Sequence, residues 1–351
     1  MIKKILYSFL FIAPFFSCTK DNVKISATCE LMRNGVYLIE WETFPPMDGT
    51  VKIYESTLPD TFNLKAPIAE LDIKKGYQHV LAFPHAPRTY FKLVFNKKTS
   101  LITTERTVPM QKVFNFRDIG GYKNKEGRSI KWGKIYRSSS LARASFRDNE
   151  TLHQLNIESV IDLRTKRDSY SFPTKFQPSQ IYNLPLRGNP YNLFFDEILS
   201  LKMTRTDILL YDQNVINFIL ENNSDYFIKM FDILLNENNY PVVIYCYLGK
   251  DRAAIASALI LSALDVDYNL ISDDYLMSNN LIEYNSLVAN ADMFSYEVQE
   301  NITALYSAHR ESIKSSFDIL KEHYGSVDNF LEKKLGLTSR KKEKLKELLL
   351  Y

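Results

Sequence analysis

Between residues 22 and 109 the chain alternates short runs of β-forming residues with turn clusters. The runs are Val23–Ala27, Val36–Trp41, Thr50–Tyr54, Ile68–Leu71, His79–Phe83, Tyr90–Phe95 and Leu101–Thr104. Between them lie Arg33-Asn34-Gly35, Pro45 to Gly49, Lys74-Lys75-Gly76 and Asn96-Lys97-Lys98. Seven short strands in so little chain predict a β-sandwich, with Trp41 in the core between its sheets. From Val113 the pattern changes to alternating strands and helices. Lys134–Ser138, Ser159–Arg164 and Tyr182–Leu186 read as strands, and Phe146–Leu155 reads as a helix. Asn115–Tyr122 reads as a loop whose paired glycines permit turns. Phe227, Met230, Phe231 and Leu234 recur at helical spacing and are expected to face a core. Further helices are expected from Ser272, with acidic residues near its positive end, over Asn301–Tyr324 as one element stopped by Gly325, and from Ser326 to Gly336. A last helix, Lys341–Leu350, would dock through Leu345, Leu348 and Leu349 and leave its lysines solvated.

The chain is organised around residues 241–260. Val242-Val243-Ile244-Tyr245 is a buried-strand pattern, and Ala253-Ala254-Ile255-Ala256 opens an Ala- and Leu-rich helix. Between them Cys246-Tyr247-Leu248-Gly249-Lys250-Asp251-Arg252 spells C-x-x-G-K-D-R. A cysteine and an arginine at C-x5-R spacing alone recur by chance, and a buried structural cysteine is the plain alternative. The full string at a strand-to-helix junction is more specific. The amides of such a loop and the helix N-terminus behind it form an anion cradle. A thiolate aimed into that cradle is suited to nucleophilic attack on phosphorus. In open α/β sheets ligands sit beyond the carboxyl ends of the strands, so polar residues there should converge on Cys246.

Composition adds a compartment and removes some partners. The chain has 351 residues, 45% of them hydrophobic, with a net charge of +3. That balance argues neither for nucleic acid nor for a strongly anionic surface. The five histidines and three cysteines show no metal-ligand spacing. Lys3-Lys4 followed by the apolar Ile5–Phe16 is a targeting segment too short to span a bilayer. Ser17-Cys18 after it resembles the lipobox of bacterial lipoproteins, with Phe15 and Phe16 in place of the smaller aliphatics usual there. This predicts removal of residues 1–17 and a lipid anchor at Cys18 in the cell envelope; an ordinary cleaved signal peptide is the alternative. Cys29 and Cys246 are expected to stay reduced, because pairing them would disable the nucleophile.

Several segments together resemble the bacterial tyrosine/serine-protein phosphatases of dual-specificity type. They are Asn115–Gly121, Arg137-Ser138-Ser139, Ile161-Asp162-Leu163-Arg164, the C-x-x-G-K-D-R loop, Asp274–Asn279 and Tyr324–Leu331. The resemblance covers about Val113 to Tyr351. It implies a mostly parallel sheet flanked by helices and a two-step cysteine mechanism with no metal or cofactor. Carried onto these positions, Cys246 is the nucleophile, Arg252 clamps phosphate oxygens, and Asp251 is the general acid, or else a loop-bracing carboxylate. Tyr247, Leu248, Gly249 and Lys250 bind phosphate, with Lys250 either adding charge for acidic substrates or facing solvent. Arg117, Asp118, Arg137 and Arg164 brace the site from behind.

Tyr245 stands where the family usually has histidine, and Ala253 where it has serine or threonine. Loss of that hydroxyl should slow release of the thiolate. The activity implied is therefore phosphoprotein hydrolysis. Alternatives are an inositol phosphate or phosphoinositide substrate, and a weakly active phosphate-binding protein. Arg88–Leu93 resembles the tyrosine-bearing strand of fibronectin type III domains. The chain then divides into a signal peptide (1–17), a tether (18–22), a β-sandwich (23–109) and a phosphatase-like domain (113–351). The sandwich is expected to be a spacer; the alternative is a module that binds a partner or orients substrate.

Overall fold

The computed structural model describes residues 23–81, 83, 86–188, 195–283, 287, 288 and 290–351. The targeting segment and Cys18 lie outside them. Two antiparallel sheets form the N-terminal part. One has the order β1 (Lys24–Leu31), β2 (Val36–Phe44), β5 (Tyr77–Leu81). The other runs β4 (Ala69–Asp72), β3 (Thr50–Ser56), β6 (Tyr90–Phe95), β7 (Thr99–Thr103). Alternate residues of β2, Tyr37, Ile39 and Trp41, turn inward against Val51, Ile53, Phe91, Leu93 and Phe95 of the facing sheet. Trp41 is buried there as expected, and its indole Nε1–H donates to Ile73 O at 2.8 Å.

The C-terminal part is an α/β layer structure. Its sheet has the order β11 (Gln180–Asn183), β10 (Ser159–Asp162), β12 (Val242–Tyr245), β9 (Ile135–Ser138), β8 (Arg117–Asp118). The first four strands are parallel and β8 is antiparallel to β9. All four residues of β12 are fully buried, which explains its unbroken apolar sequence. The helices are α1 (Phe146–Gln154), α2 (Lys166–Ser171), α3 (Phe195–Leu199), α4 (Arg205–Glu221), α5 (Ser224–Leu234) and α6 (Arg252–Ala263). They continue with α7 (Tyr268–Leu276), α8 (Ser278–Leu281), α9 (Tyr296–Tyr306), α10 (Arg310–Tyr324), α11 (Val327–Asn329) and α12 (Ser339–Leu349). Phe227, Met230, Phe231 and Leu234 of α5 all enter the main core, as do Leu345 and Leu349 of α12.

Three expectations are corrected. The helix expected from Ser272 begins at Tyr268, because the Asp267 side chain accepts from the Asn269 amide and caps it there. Asp273 and Asp274 therefore fall in its later turns, away from the positive end. The single helix expected over Asn301–Tyr324 is two. Asn279 holds Ala308 between them, accepting from its N–H at 2.7 Å and donating to its carbonyl at 2.9 Å. Arg117-Asp118, expected in a loop, is a short edge strand paired with Arg137 and Tyr136.

The sandwich is not a free spacer. Arg88, from its side of the seam, donates to Asp118 Oδ2 at 2.5 Å. Its guanidinium lies 5.0 Å from the ring of Tyr90, 5.2 Å from Trp132 and 5.9 Å from Tyr136. Trp132 Nε1–H in turn donates to Ile102 O of β7 at 2.9 Å. Arg106, between the two parts, donates to the carbonyls of Asp118 and Gly120 at 2.8 and 2.7 Å. A buried charge joined this way to a carboxylate and three rings holds the two parts in one packed unit.

Candidate active site

The loop 246–251 leaves the carboxyl end of central β12 and enters α6 at Arg252. Three successive carbonyls of this loop are held from outside. Tyr247 O accepts from the Ser140 amide at 3.1 Å. Leu248 O accepts from Asn115 Nδ2 at 3.2 Å, and Gly249 O from Arg137 at 2.6 Å. In a trans peptide the carbonyl and the next N–H point opposite ways. The amides of Leu248, Gly249 and Lys250 are thereby turned away from those partners, toward the inside of the loop. Gly249 makes this possible: its φ is +71°, and a Cβ there would lie 2.5 Å from the Ser138 carbonyl.

Behind the loop two arginines share one carboxylate. Arg137 donates to Asp274 Oδ2 at 2.6 Å, and Arg117 to Asp274 Oδ1 at 3.2 Å and to its main-chain carbonyl at 2.7 Å. All three side chains are buried. Burial would raise the Asp274 carboxyl, but the Arg117 and Arg137 guanidiniums outweigh it and hold the group well below the usual carboxylate range. Burial and the Arg137 charge push the Arg117 guanidinium down to about 10. Asn115 ties this cluster to the loop, since it also accepts from Arg117. Asp274 therefore fixes Arg137, and Arg137 fixes the Gly249 carbonyl.

Cys246 is 3% exposed and belongs to the core cluster that contains Ala253 and Ala254. Arg252 is half-buried, and its Nε is buried without a hydrogen-bond partner among the described residues. Gly188 passes so close that a Cβ there would stand 3.1 Å from that Nε. Beside Gly188 a cleft of about 480 Å³ is lined by Thr165, Lys166, Pro185, Leu186, Phe218 and Tyr226, among others. The Arg252 guanidinium thus lies against Gly188, with an N–H that no acceptor among the described residues takes up.

The structure places the other expected residues as follows. Asp118 accepts from the amides of Gly120 at 2.7 Å and Gly133 at 2.6 Å as well as from Arg88, so it fixes the paired-glycine turn rather than the loop of Cys246. Arg164 grips Asp162, donating from Nε to Oδ1 at 2.9 Å and from Nη2 to Oδ2 at 2.6 Å. Its guanidinium lies 5.3 Å from the Tyr245 ring. Tyr245 is fully buried, and burial pushes its hydroxyl well above its ordinary range. Tyr247 is half-exposed, with the Arg143 guanidinium 5.8 Å from its ring.

Lys250 is a correction. Expected to face substrate or solvent, it is fully buried, with Nζ 2.8 Å from Asp212 Oδ1, 2.9 Å from Asp251 Oδ1 and 3.1 Å from Ser307 O. Its charge is taken up by the two carboxylates, and no free cation reaches the cradle from it. Asp212, which sequence reasoning missed, carries a readable mark. It lies at helical spacing between Ile208 and Ile216 on the buried stripe of α4, where a charge needs a partner. Asn115 and Ser278 lie within the motifs, where residue type alone marks no role for them; both contact Arg117.

Residues 108–351 match the model of the tyrosine phosphatase family. A Cupriavidus necator protein named "Putative tyrosine-protein phosphatase" is 26% identical over 231 residues, 62% of this chain and 80% of its own. The "Triple specificity protein phosphatase PtpB" of Mycobacterium tuberculosis is 24% identical over 192 residues, 48% of this chain and 68% of its own. A solved structure, the core catalytic domain of the PP-IP phosphatase SIW14 from S. cerevisiae in complex with citrate, is 18% identical. It aligns with 62% of this chain and 94% of that chain at a TM-score of 0.29.

Proposed function

Because this chain belongs to the tyrosine phosphatase family, we propose that it hydrolyses phosphomonoesters through a cysteinyl-phosphate on Cys246. In the first step the Cys246 thiolate attacks phosphorus. The S–P bond forms as the P–O bond to the leaving group breaks, and Asp251 gives its proton to the departing oxygen. In the second step the Asp251 carboxylate takes a proton from water as that water attacks phosphorus and the S–P bond breaks. Arg252 holds two equatorial oxygens with its planar fork. The inward amides of the loop hold the rest without reorganising, which is what a developing negative charge needs.

The observation that carries this reading is the capture of three successive loop carbonyls by Ser140, Asn115 and Arg137. A loop whose amides merely met the core would not need such a frame. The test is vanadate-sensitive hydrolysis of p-nitrophenyl phosphate by the full chain. The reading requires it to vanish in Cys246→Ser; undiminished turnover in that variant would reject it.

For the substrate we propose a phosphotyrosine- or phosphoserine-bearing protein. The inositol phosphate alternative drew on the basic residues of the loop, and Lys250 no longer supports it, since Asp212 and Asp251 hold its ammonium. A weakly active phosphate-binding protein is the reading prompted by Tyr245 and by Ala253, which leaves the first turn of α6 without a hydroxyl. Trapped phospho-Cys246 with negligible turnover would select that reading. We further propose export and lipidation at Cys18, on the lipobox pattern. Fatty-acid labelling that persists in Cys18→Ala would reject it.

A further inference from the structure

Lys250 has three N–H donors and three acceptors within reach: Asp212, Asp251 and the Ser307 carbonyl. They come from three parts of the fold, namely α4, the loop itself and the break between α9 and α10. Asp212 is fully buried, and its other oxygen accepts from Ser312 Oγ at 2.6 Å. The ammonium is therefore in contact with both carboxylates at once. Other groups near this centre are Tyr211 and Tyr275. Burial, then the charges of Asp251 and Asp212, push the Tyr211 hydroxyl up to about 12. Burial and Asp212 push Tyr275 well above its ordinary range. Both phenols stay neutral at working pH, and Lys250 brings a cation into contact with Asp251.

We propose that Asp212 is a positioning residue for the reaction: through Lys250 it keeps Asp251 able to give its proton to the leaving oxygen. This rests on the phosphoryl-transfer reading above. The physical reason is competition for one ammonium. With Asp212 in place, Lys250 is shared between two carboxylates. Without that charge, Lys250 belongs to Asp251 alone and holds it as the conjugate base. An Asp251 held in that way has no proton to give when the P–O bond breaks.

The distinguishing readout is the dependence on the leaving group. p-Nitrophenolate departs without a proton, whereas phenoxide needs one. In the full chain, Asp212→Asn is expected to lower kcat on phenyl phosphate about tenfold or more, while kcat on p-nitrophenyl phosphate stays within about threefold. Vanadate inhibition is expected to be unchanged, because the loop amides and Arg252 are untouched. An equal loss on both esters, or loss of vanadate inhibition, overturns the proposal and makes Asp212 a structural support of the loop. Should Asp212→Asn fail to fold, Ser312→Ala removes only the hydroxyl donor to Asp212. It keeps the Asp212 charge beside Lys250, so the ratio of the two rates should stay within about threefold of the unmodified chain's, and a selective loss on phenyl phosphate overturns the proposal. If the unmodified protein shows no Cys246-dependent turnover of either ester, the phosphatase reading itself has failed and this inference falls with it.

Discussion

Arg88 of the sandwich side and Asp118 of the catalytic part meet at 2.5 Å, and neither side chain is more than 1% exposed. Asp118 follows Arg117, which binds Asp274, and Asp274 binds Arg137, which carries the Gly249 carbonyl. The sandwich is thereby connected to the loop of Cys246 through five buried side chains and the Arg117–Asp118 backbone. Replacing Arg88 by methionine strands a buried carboxylate and should cost about 3–5 kcal/mol. Urea unfolding of Arg88→Met, Asp118→Asn and the double variant measures this. The double variant should recover part of the loss, and strict additivity would show that the pair is not coupled.

Asp274 gives a stability that depends on acid. Its carboxyl is held below the usual range in the folded chain, against about 3.9 when unfolded. The contribution is thus complete above about pH 4 and is lost as pH falls through the lower folded value. Asp274→Asn should destabilise the protein by about 3–5 kcal/mol near neutrality, since two buried guanidiniums lose their shared anion. Its unfolding free energy should also fall less steeply than that of the unmodified chain below pH 4. Parallel curves in acid would show that another carboxylate carries the acid sensitivity.

Gly249→Ala should separate loop geometry from fold. The added methyl meets the Ser138 carbonyl at 2.5 Å, at a φ of +71°. Strain of about 1–2 kcal/mol is expected from the left-handed backbone. The loop must move off its Arg137 contact, so vanadate affinity should fall at least tenfold while thermal unfolding shifts by only a few degrees. Unaltered vanadate binding would mean that the loop tolerates a side chain there.

Ala253→Ser restores the hydroxyl missing after Arg252. A hydrogen bond to a charged leaving thiolate contributes on the order of 1.5–3 kcal/mol. Breakdown of the phospho-enzyme should accelerate by about tenfold or more. Rapid-quench kinetics should show a burst of p-nitrophenol in the unmodified chain that shrinks in the variant. A burst of equal size would place the slow step elsewhere.

The sandwich strands were legible because their alternation is local: Tyr37, Ile39 and Trp41 declare their face without reference to the rest of the chain. The loop at Cys246 was legible because residue types of fixed chemistry stand at fixed spacing. Partnerships were not. Asp274 finds Arg117 and Arg137 across about 140 to 160 residues, and Asp212 finds Lys250 across 38. A sequence pattern carries residue type and face but no partner, so Lys250 was read by its charge alone. The break at Ser307 was missed for the same reason, because the group that stabilises it, Asn279, lies in another helix. Arg88 was read only as part of a strand pattern, though an arginine in that setting is the residue that ties the two parts together.

The seam at Arg88 fixes direction as well as distance. A jointed stalk would let the catalytic mouth swing and sample every orientation its length allowed. With the sandwich locked against the Asp118 turn, the Cys246 opening keeps one heading relative to the sandwich. Any turn of the sandwich therefore carries the catalytic mouth with it through the same angle.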